Sequence, residues 1–117
     1  MTAPAPDPAP DPDRLERYVE AVLQAVEAVP AGRVTTYGDV ADLVGTQLGR
    51  GGPRQVGAVL AQHGATVCWW RVVRADGRPA RGHQSQALRH LVAEGAPVRA
   101  DRVRLDLARW DWPESSA

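Results

Sequence analysis

Val67-Cys68-Trp69-Trp70-Arg71-Val72-Val73 is the stretch whose reading decides the rest. Two adjacent tryptophans interrupt a β-branched apolar run, and an arginine follows at once. The chain has 117 residues with four tryptophans, two tyrosines and no phenylalanine, so two indoles side by side demand a use. By composition, residues 66–73 are expected to run extended and buried.

Working upstream, Pro53 suits the first position of a helix whose inner face is Val56, Val59 and Leu60 and which Gly64 ends. Before it, Thr36 is an expected N-cap for a short helix over 37–44 that buries Val40, Ala41 and Leu43 and stops at Gly45. The linker 46–52 holds Gly49, Gly51 and Gly52. The pair reads as a helix-turn-helix with a connection longer than the usual three or four residues. Such pairs occur in many small helical proteins, so the pattern alone leaves DNA binding open.

Further out, Asp13 and Glu16 have capping-box spacing. Leu15, Val19, Val22, Leu23, Val26 and Val29 recur at helical intervals, predicting a structural helix over 14–29 closed by Pro30. Downstream, Asp76-Gly77 marks a turn in a polar loop over 74–84. A helix then starts at Gln84 or Ser85 and runs through Glu94, with Ala87, Leu88, Leu91 and Val92 inward and Gly95 as its stop. Val103, Leu105 and Leu107 alternate with charged residues, which predicts a short strand or extended arm. The indoles of Trp110 and Trp112 are expected to pack back on the domain. Residues 1–12 alternate proline with alanine and aspartate and are expected to be a disordered tail. That leaves one folded domain over 13–113 and a short tail over 114–117.

The formal net charge is zero, but it is unevenly spread. Residues 1–30 carry six acids and two arginines, whereas residues 31–81 carry seven arginines (Arg33, Arg50, Arg54, Arg71, Arg74, Arg78 and Arg81) against Asp39, Asp42 and Asp76. That local excess can attract phosphate although the total balances. No apolar run approaches the roughly 18 residues of a membrane span, and no secretory leader is visible at the N-terminus. The lone Cys68 forms no internal disulfide, in keeping with a reducing compartment. A cytoplasmic location and no membrane partner are expected. His63, Cys68, His83 and His90 lack metal-ligand spacing, so no metal and no cofactor are expected.

Taken in order, Tyr37-Gly38-Asp39-Val40-Ala41, Pro53-Arg54-Gln55-Val56-Gly57, the aromatic-Arg-Val-Val core and Glu94-Gly95 resemble the C-terminal domain of the O6-alkylguanine-DNA alkyltransferases. The resemblance covers roughly residues 14–107. It implies a mostly α fold with short strands, a winged-helix-like helix-turn-helix domain of the alkyltransferase C-terminal type. The family signature is Pro-Cys-His-Arg-Val-Val. Here Trp69 stands in the place of the nucleophilic cysteine and Trp70 in that of the histidine, the mark of the alkyltransferase-like proteins.

That substitution removes the chemistry. Dealkylation of guanine O6 needs a thiolate, and an indole offers one N–H donor and no titratable base. Glu94 matches the family's glutamate, but without the histidine no relay is complete, so no catalytic residue is expected. Cys68 lies one position early, and in an extended segment its side chain would face the opposite side, as a small buried hydrophobe.

The resemblance assigns the remaining roles residue by residue. Tyr37 aligns with the tyrosine that promotes rotation of the target nucleotide, and Arg54 with the arginine that replaces the extruded base in the stack. Val56, Gly57 and Ala58 give the recognition helix a small surface for the minor groove. Trp69 is expected to line the lesion pocket. Trp70, Arg71, Arg78 and Arg81 are further pocket candidates, although Trp70 also suits packing behind the pocket and Arg71 a hydrogen-bonding role. His83 could touch phosphate or the altered base, and His63 suits a helix end. The expected partners are duplex DNA containing O6-alkylguanine and the nucleotide excision repair proteins, with the protein itself monomeric. Two other readings stay open: a suicide alkyltransferase acting through Cys68, and a sequence-specific helix-turn-helix regulator.

Overall fold

A computed structural model describes residues 12–49 and 51–113; the expected tails, except Pro12, and Arg50 lie outside the described residues. Helix α1 spans Pro12–Glu27, ahead of the expected cap at Asp13, because proline suits a first helical turn. One face of α1 places Tyr18, Val22 and Ala25 against Val40, Ala41 and Val44 of α2 (Tyr37–Leu48) and Val56 and Val59 of α3 (Pro53–His63). This valine-rich three-helix core needs no phenylalanine.

Thr36 caps α2 as expected, its hydroxyl accepting from the Asp39 N–H at 3.1 Å. The helix does not stop at Gly45. It continues to Leu48 and ends at Gly49, whose φ of 76° is the left-handed conformation that closes helices. Leu43, expected inward, is only half-buried, and Val44 takes the core position. The connection to α3 is therefore 49–52, four residues, which is the ordinary helix-turn-helix length. Gly51 adopts φ 100°, and a Cβ there would overlap the Tyr18 ring. Pro53 occupies the first turn of α3, and the Gln55 side chain reaches back to accept from the Gly52 N–H at 2.9 Å.

The stretch 66–73 is not an extended strand. Cys68, at φ −79° and ψ 65°, is the centre of an inverse γ-turn that Trp69 N–H closes on the Val67 carbonyl at 2.9 Å. Trp69–Arg71 then coil into a 3₁₀ turn, and only Val72–Val73 form a strand, β2. Apolar β-branched composition signalled burial correctly for Val67, Val72 and Val73, but it could not specify the backbone path. Strand β2 pairs in parallel with β1 (Thr35–Thr36), joining Thr36 to Val73.

Helix α4 (Gln84–Ala93) buries Ala87 and Leu91; Val92, expected inward, is 61% exposed. A hairpin of β3 (Val98–Arg99) and β4 (Arg102–Val103) follows, and then a one-turn helix α5 (Leu105–Ala108) in place of the expected arm. Alternation fails beyond Val103, and Leu107 points outward. The C-terminal segment does pack back. Trp112 donates from Nε1 to the Ala25 carbonyl at 2.9 Å, and Arg109 grips Asp39 with both ends of its guanidinium, at 2.6 and 2.8 Å. Among the described residues, no helix is long and apolar enough to cross a membrane.

Candidate nucleic-acid interface

The coil at 68–71 splays two consecutive indoles, because side chains in a 3₁₀ turn step by a third of a circle. Trp69 and Trp70 meet edge to face, with centroids 5.9 Å apart and planes at 83°. They serve different surroundings.

Trp69 lines an open cavity of about 440 Å³, within the range of small-molecule sites. Tyr37 of α2 and Gly57, Leu60 and Ala61 of α3 form one side. Ala80, Arg81 and His83 of the loop, with Gln86, form the other. The His83 ring leans on Trp69 at 5.6 Å. Among the described residues, no carboxylate lines this cavity. A larger groove of about 730 Å³ runs along α1, but its wall carries Glu16, Glu20 and Glu27, which would repel phosphate.

Trp70 turns the other way. Its ring stacks on His90 at 3.9 Å and 12°, and its Nε1 donates to Glu94 Oε1 at 2.9 Å. Arg71 adds a fork on the same carboxylate, from Nη2 to Oε1 at 2.6 Å and from Nε to Oε2 at 3.0 Å, while its Nη1 donates to the Val29 carbonyl at 2.8 Å. Burial pushes the Glu94 carboxyl up, but the Arg71 and Trp70 hydrogen bonds and the Arg71 charge outweigh it and hold Glu94 below its ordinary range. Glu94 is therefore an engaged anion, held by Arg71 and Trp70.

Of the expected pocket residues, Trp69 and Arg81 line the cavity. Trp70 and Arg71 stand behind it, held by Glu94. Arg78 lies on the far part of the loop, its N–H bonded to Asp76 and its guanidinium 3.9 Å from that carboxylate. Of the expected duplex contacts, Tyr37 and Gly57 reach the cavity edge, and Arg54 is exposed three residues before Gly57, one turn away on the same face of α3. Val56 is fully buried in the three-helix core and cannot present its side chain to a duplex. Ala58 is exposed but turns toward the groove beside Leu15 and Tyr18. Cys68 is half-buried rather than buried and is not part of the cavity wall. His63 ends α3, as expected.

Sequence reading missed Leu60, Ala61, Ala65, Ala80 and Gln86 as cavity residues. Ala61, four positions after Gly57, was accessible through helical spacing. Leu60, three positions after Gly57, shares that face, whereas Ala65, Ala80 and Gln86 carried no signal. Burial raises the Tyr37 phenol above its ordinary value, and Arg74 opposes the shift, so the hydroxyl remains a neutral donor at physiological pH. Among the described residues no cluster of His, Cys, Asp or Glu could hold a metal ion.

A two-helix motif with a four-residue turn, a downstream hairpin and an aromatic cavity beside α3 defines a helix-turn-helix domain of the alkyltransferase C-terminal type. The chain belongs to the family described as 6-O-methylguanine DNA methyltransferase, DNA binding domain, whose model matches residues 17–96. It is 39% identical over 113 residues to a protein of Escherichia coli K12 named DNA base-flipping protein, covering 88% of this chain and 82% of that one. Its fold is that of S. pombe Atl1 in complex with damaged DNA containing O6-carboxymethylguanine, with a TM-score of 0.70, 24% identity and coverage of 82% of this chain and 96% of that one. A second structure, of S. pombe ATL in complex with DNA, matches with a TM-score of 0.68, 25% identity and the same coverage. The family and the fold expected from the quoted motifs are thus borne out.

Proposed function

We propose that this protein recognises O6-alkylguanine in duplex DNA by extruding the nucleotide into the Trp69 cavity and holds it there without reaction. The observation that carries this reading is the cavity wall itself, where an indole stands at the place the resemblance gives to the acceptor sulfur, beside Tyr37 and the Gly57 face of α3. Extrusion costs a few kcal/mol, and less where O6 alkylation has already weakened pairing. Stacking on an aromatic ring returns roughly 1–3 kcal/mol. Arg54, exposed beside the cavity, refills the gap in the stack. Arg81 at the rim meets phosphate or the substituent. The names carried by the relatives, base flipping and damaged DNA, point the same way.

The placement of the two reactive groups supports an absence of transfer. Cys68 does not face the cavity, and Glu94 is committed to Arg71 and Trp70. A binder that leaves the lesion intact must pass it on, and nucleotide excision repair is the machinery suited to bulky, protein-marked sites. The protein acts in this reading as a cytoplasmic monomer.

The test is a titration of matched duplexes, with and without O6-methylguanine, against wild type, Tyr37→Ala and Arg54→Ala. Wild type is expected to prefer the lesion, and both changes to weaken that preference. DNA recovered from the complex is expected to keep its alkyl group, and the protein mass to stay unchanged. Equal affinity for the two duplexes, or a methyl adduct on Cys68, would refute the reading.

A further inference from the structure

The β3–β4 hairpin carries a charge arrangement that recognition of the extruded base does not use. Its register pairs Val98 with Val103 and Arg99 with Arg102. Side chains alternate along a strand, so the valines pack inward and the two guanidinium groups share the outer face. Val103 is 2% exposed, while Arg99 and Arg102 are both exposed. Like charges directly opposite one another oppose hairpin formation.

Nearby acids relieve the opposition only in part: Asp76 feels the charge of Arg102, but it shares that attraction with Arg74 and Arg78. The cavity of about 500 Å³ beside the hairpin is lined by Arg99, Arg102 and Arg104 together with Asp76 and Asp106. Asp106 takes its ion pair from Arg104 at 2.8 Å, and Asp76 accepts from the Arg78 N–H at 3.0 Å. Among the described residues, no carboxylate stands within ion-pair distance of Arg99 or Arg102.

The hairpin is continuous with the nucleic-acid face. Val103 N–H donates to the Gly77 carbonyl at 2.9 Å, which fixes the hairpin to the loop that ends in Arg81 and His83 at the cavity. The same loop begins at Arg74, and the pairing of Thr36 with Val73 sets Arg74 next to Tyr37. A chain of arginines thus leads from Tyr37 through Arg74 to Arg102 and Arg99.

We propose that Arg99 and Arg102 form a second contact with DNA, clamping the sugar–phosphate backbone on the flank of the site where the base is extruded. A duplex presents one charge per about 1.7 Å of axis, so a single stretch of backbone can neutralise both guanidinium groups at once. The clamp rests on the lesion-recognition reading for its location. It carries no base or lesion selectivity, since phosphate contacts position rather than specify. The alternative occupant, an acidic surface of another protein, lacks the continuity with Tyr37 and is an outcome of the test.

The experiment measures binding of the full chain to labelled duplexes, with and without a central O6-methylguanine, across a salt series. Each phosphate contact contributes about 0.9 to the slope of log K against log salt, so Arg99→Gln/Arg102→Gln is expected to flatten the slope by about 2. Between about 50 and 200 mM salt, wild type then loses about tenfold more affinity than the variant. The ratio of lesion to undamaged affinity is expected to stay the same, and Arg99→Lys/Arg102→Lys to keep the wild-type slope. Arg99→Glu, which places opposite charges across the strands, is expected to raise the melting temperature while weakening DNA binding. An unchanged slope in the glutamine variant, with wild type still binding DNA, overturns the clamp; so does a lower melting temperature for Arg99→Glu. Recovery of an acidic-protein complex that is lost in the variant, alongside unaltered DNA binding, overturns it as well. If wild type shows no lesion preference, the base-extrusion reading fails, and the slope on undamaged duplex still decides the clamp.

Discussion

At Gly57 the fold and the proposed DNA contact make different demands. A Cβ at this position would meet nothing within 4 Å, so no internal contact requires glycine there. Alanine in a helix interior is worth about 0.5–1 kcal/mol over glycine. Gly57→Ala is therefore expected to raise stability by about that amount while weakening lesion binding about tenfold, or 1.4 kcal/mol, through lost close approach; denaturant melts and DNA titration check the two signs. Glu94 gives the opposite kind of residue, one the fold cannot spare. Arg71 and Glu94 are 14% and 15% exposed, and removing one partner of a buried pair costs about 3–5 kcal/mol. Arg71→Ala should approach the lower figure, and Arg71→Lys should recover little of it, because the fork onto both carboxylate oxygens is lost. The folded-state value of Glu94 lies below its ordinary 4.5, so its contribution is full above that pH and disappears as pH falls through the depressed value. Comparing urea melts at about pH 6 and about pH 3, wild type should lose more stability than Glu94→Gln.

At the scale of elements, the helix-turn-helix depends on how closely its turn approaches α1. Gly51 adopts φ 100° with the Tyr18 ring against it, so Gly51→Ala combines backbone strain with a clash. A loss of about 1–3 kcal/mol is expected, visible as a lower melting temperature together with weaker DNA binding, since the turn sets the angle of α3. The elements also show where sequence was legible. Thr36 and Pro53 announced their helices because capping and proline at the first turn are local chemistry. Gly45 misled, because a helix tolerates an interior glycine when Val44 beside it is buried and Gly49 supplies the left-handed stop. The stretch 66–73 misled for a different reason. Its composition reports burial, whereas its path is set by the γ-turn at Cys68, which no local pattern encodes. Candidate site residues divided the same way: helical spacing gave the Gly57 face, but only the coil decides that Trp69 and Trp70 look in different directions.

For the whole molecule, the C-terminal segment acts as a clasp. Arg33 donates to the Ala108 and Arg109 carbonyls at 3.0 and 2.7 Å, Arg109 holds Asp39 near the start of α2, and Trp112 reaches α1. The half of the ion pair contributed by Arg109 is exposed, so its screened energy is small, on the order of 0.2–1 kcal/mol. The packing of Trp112 carries more. Trp112→Ala is expected to cost about 3 kcal/mol, to be read by chemical melts, and to leave the lesion-to-undamaged affinity ratio unchanged in the folded fraction, because Trp112 does not line the cavity. The carboxylate held by Arg71 and Trp70 has a last consequence. Restoring sulfur by Trp69→Cys alone would supply a thiol that Glu94 does not serve as base, since its oxygens are engaged by Arg71, Trp70 and the Gly32 backbone. Methyl transfer is therefore expected from the paired replacement Trp69→Cys/Trp70→His rather than from Trp69→Cys alone, read as a mass adduct on the protein after incubation with O6-methylguanine DNA.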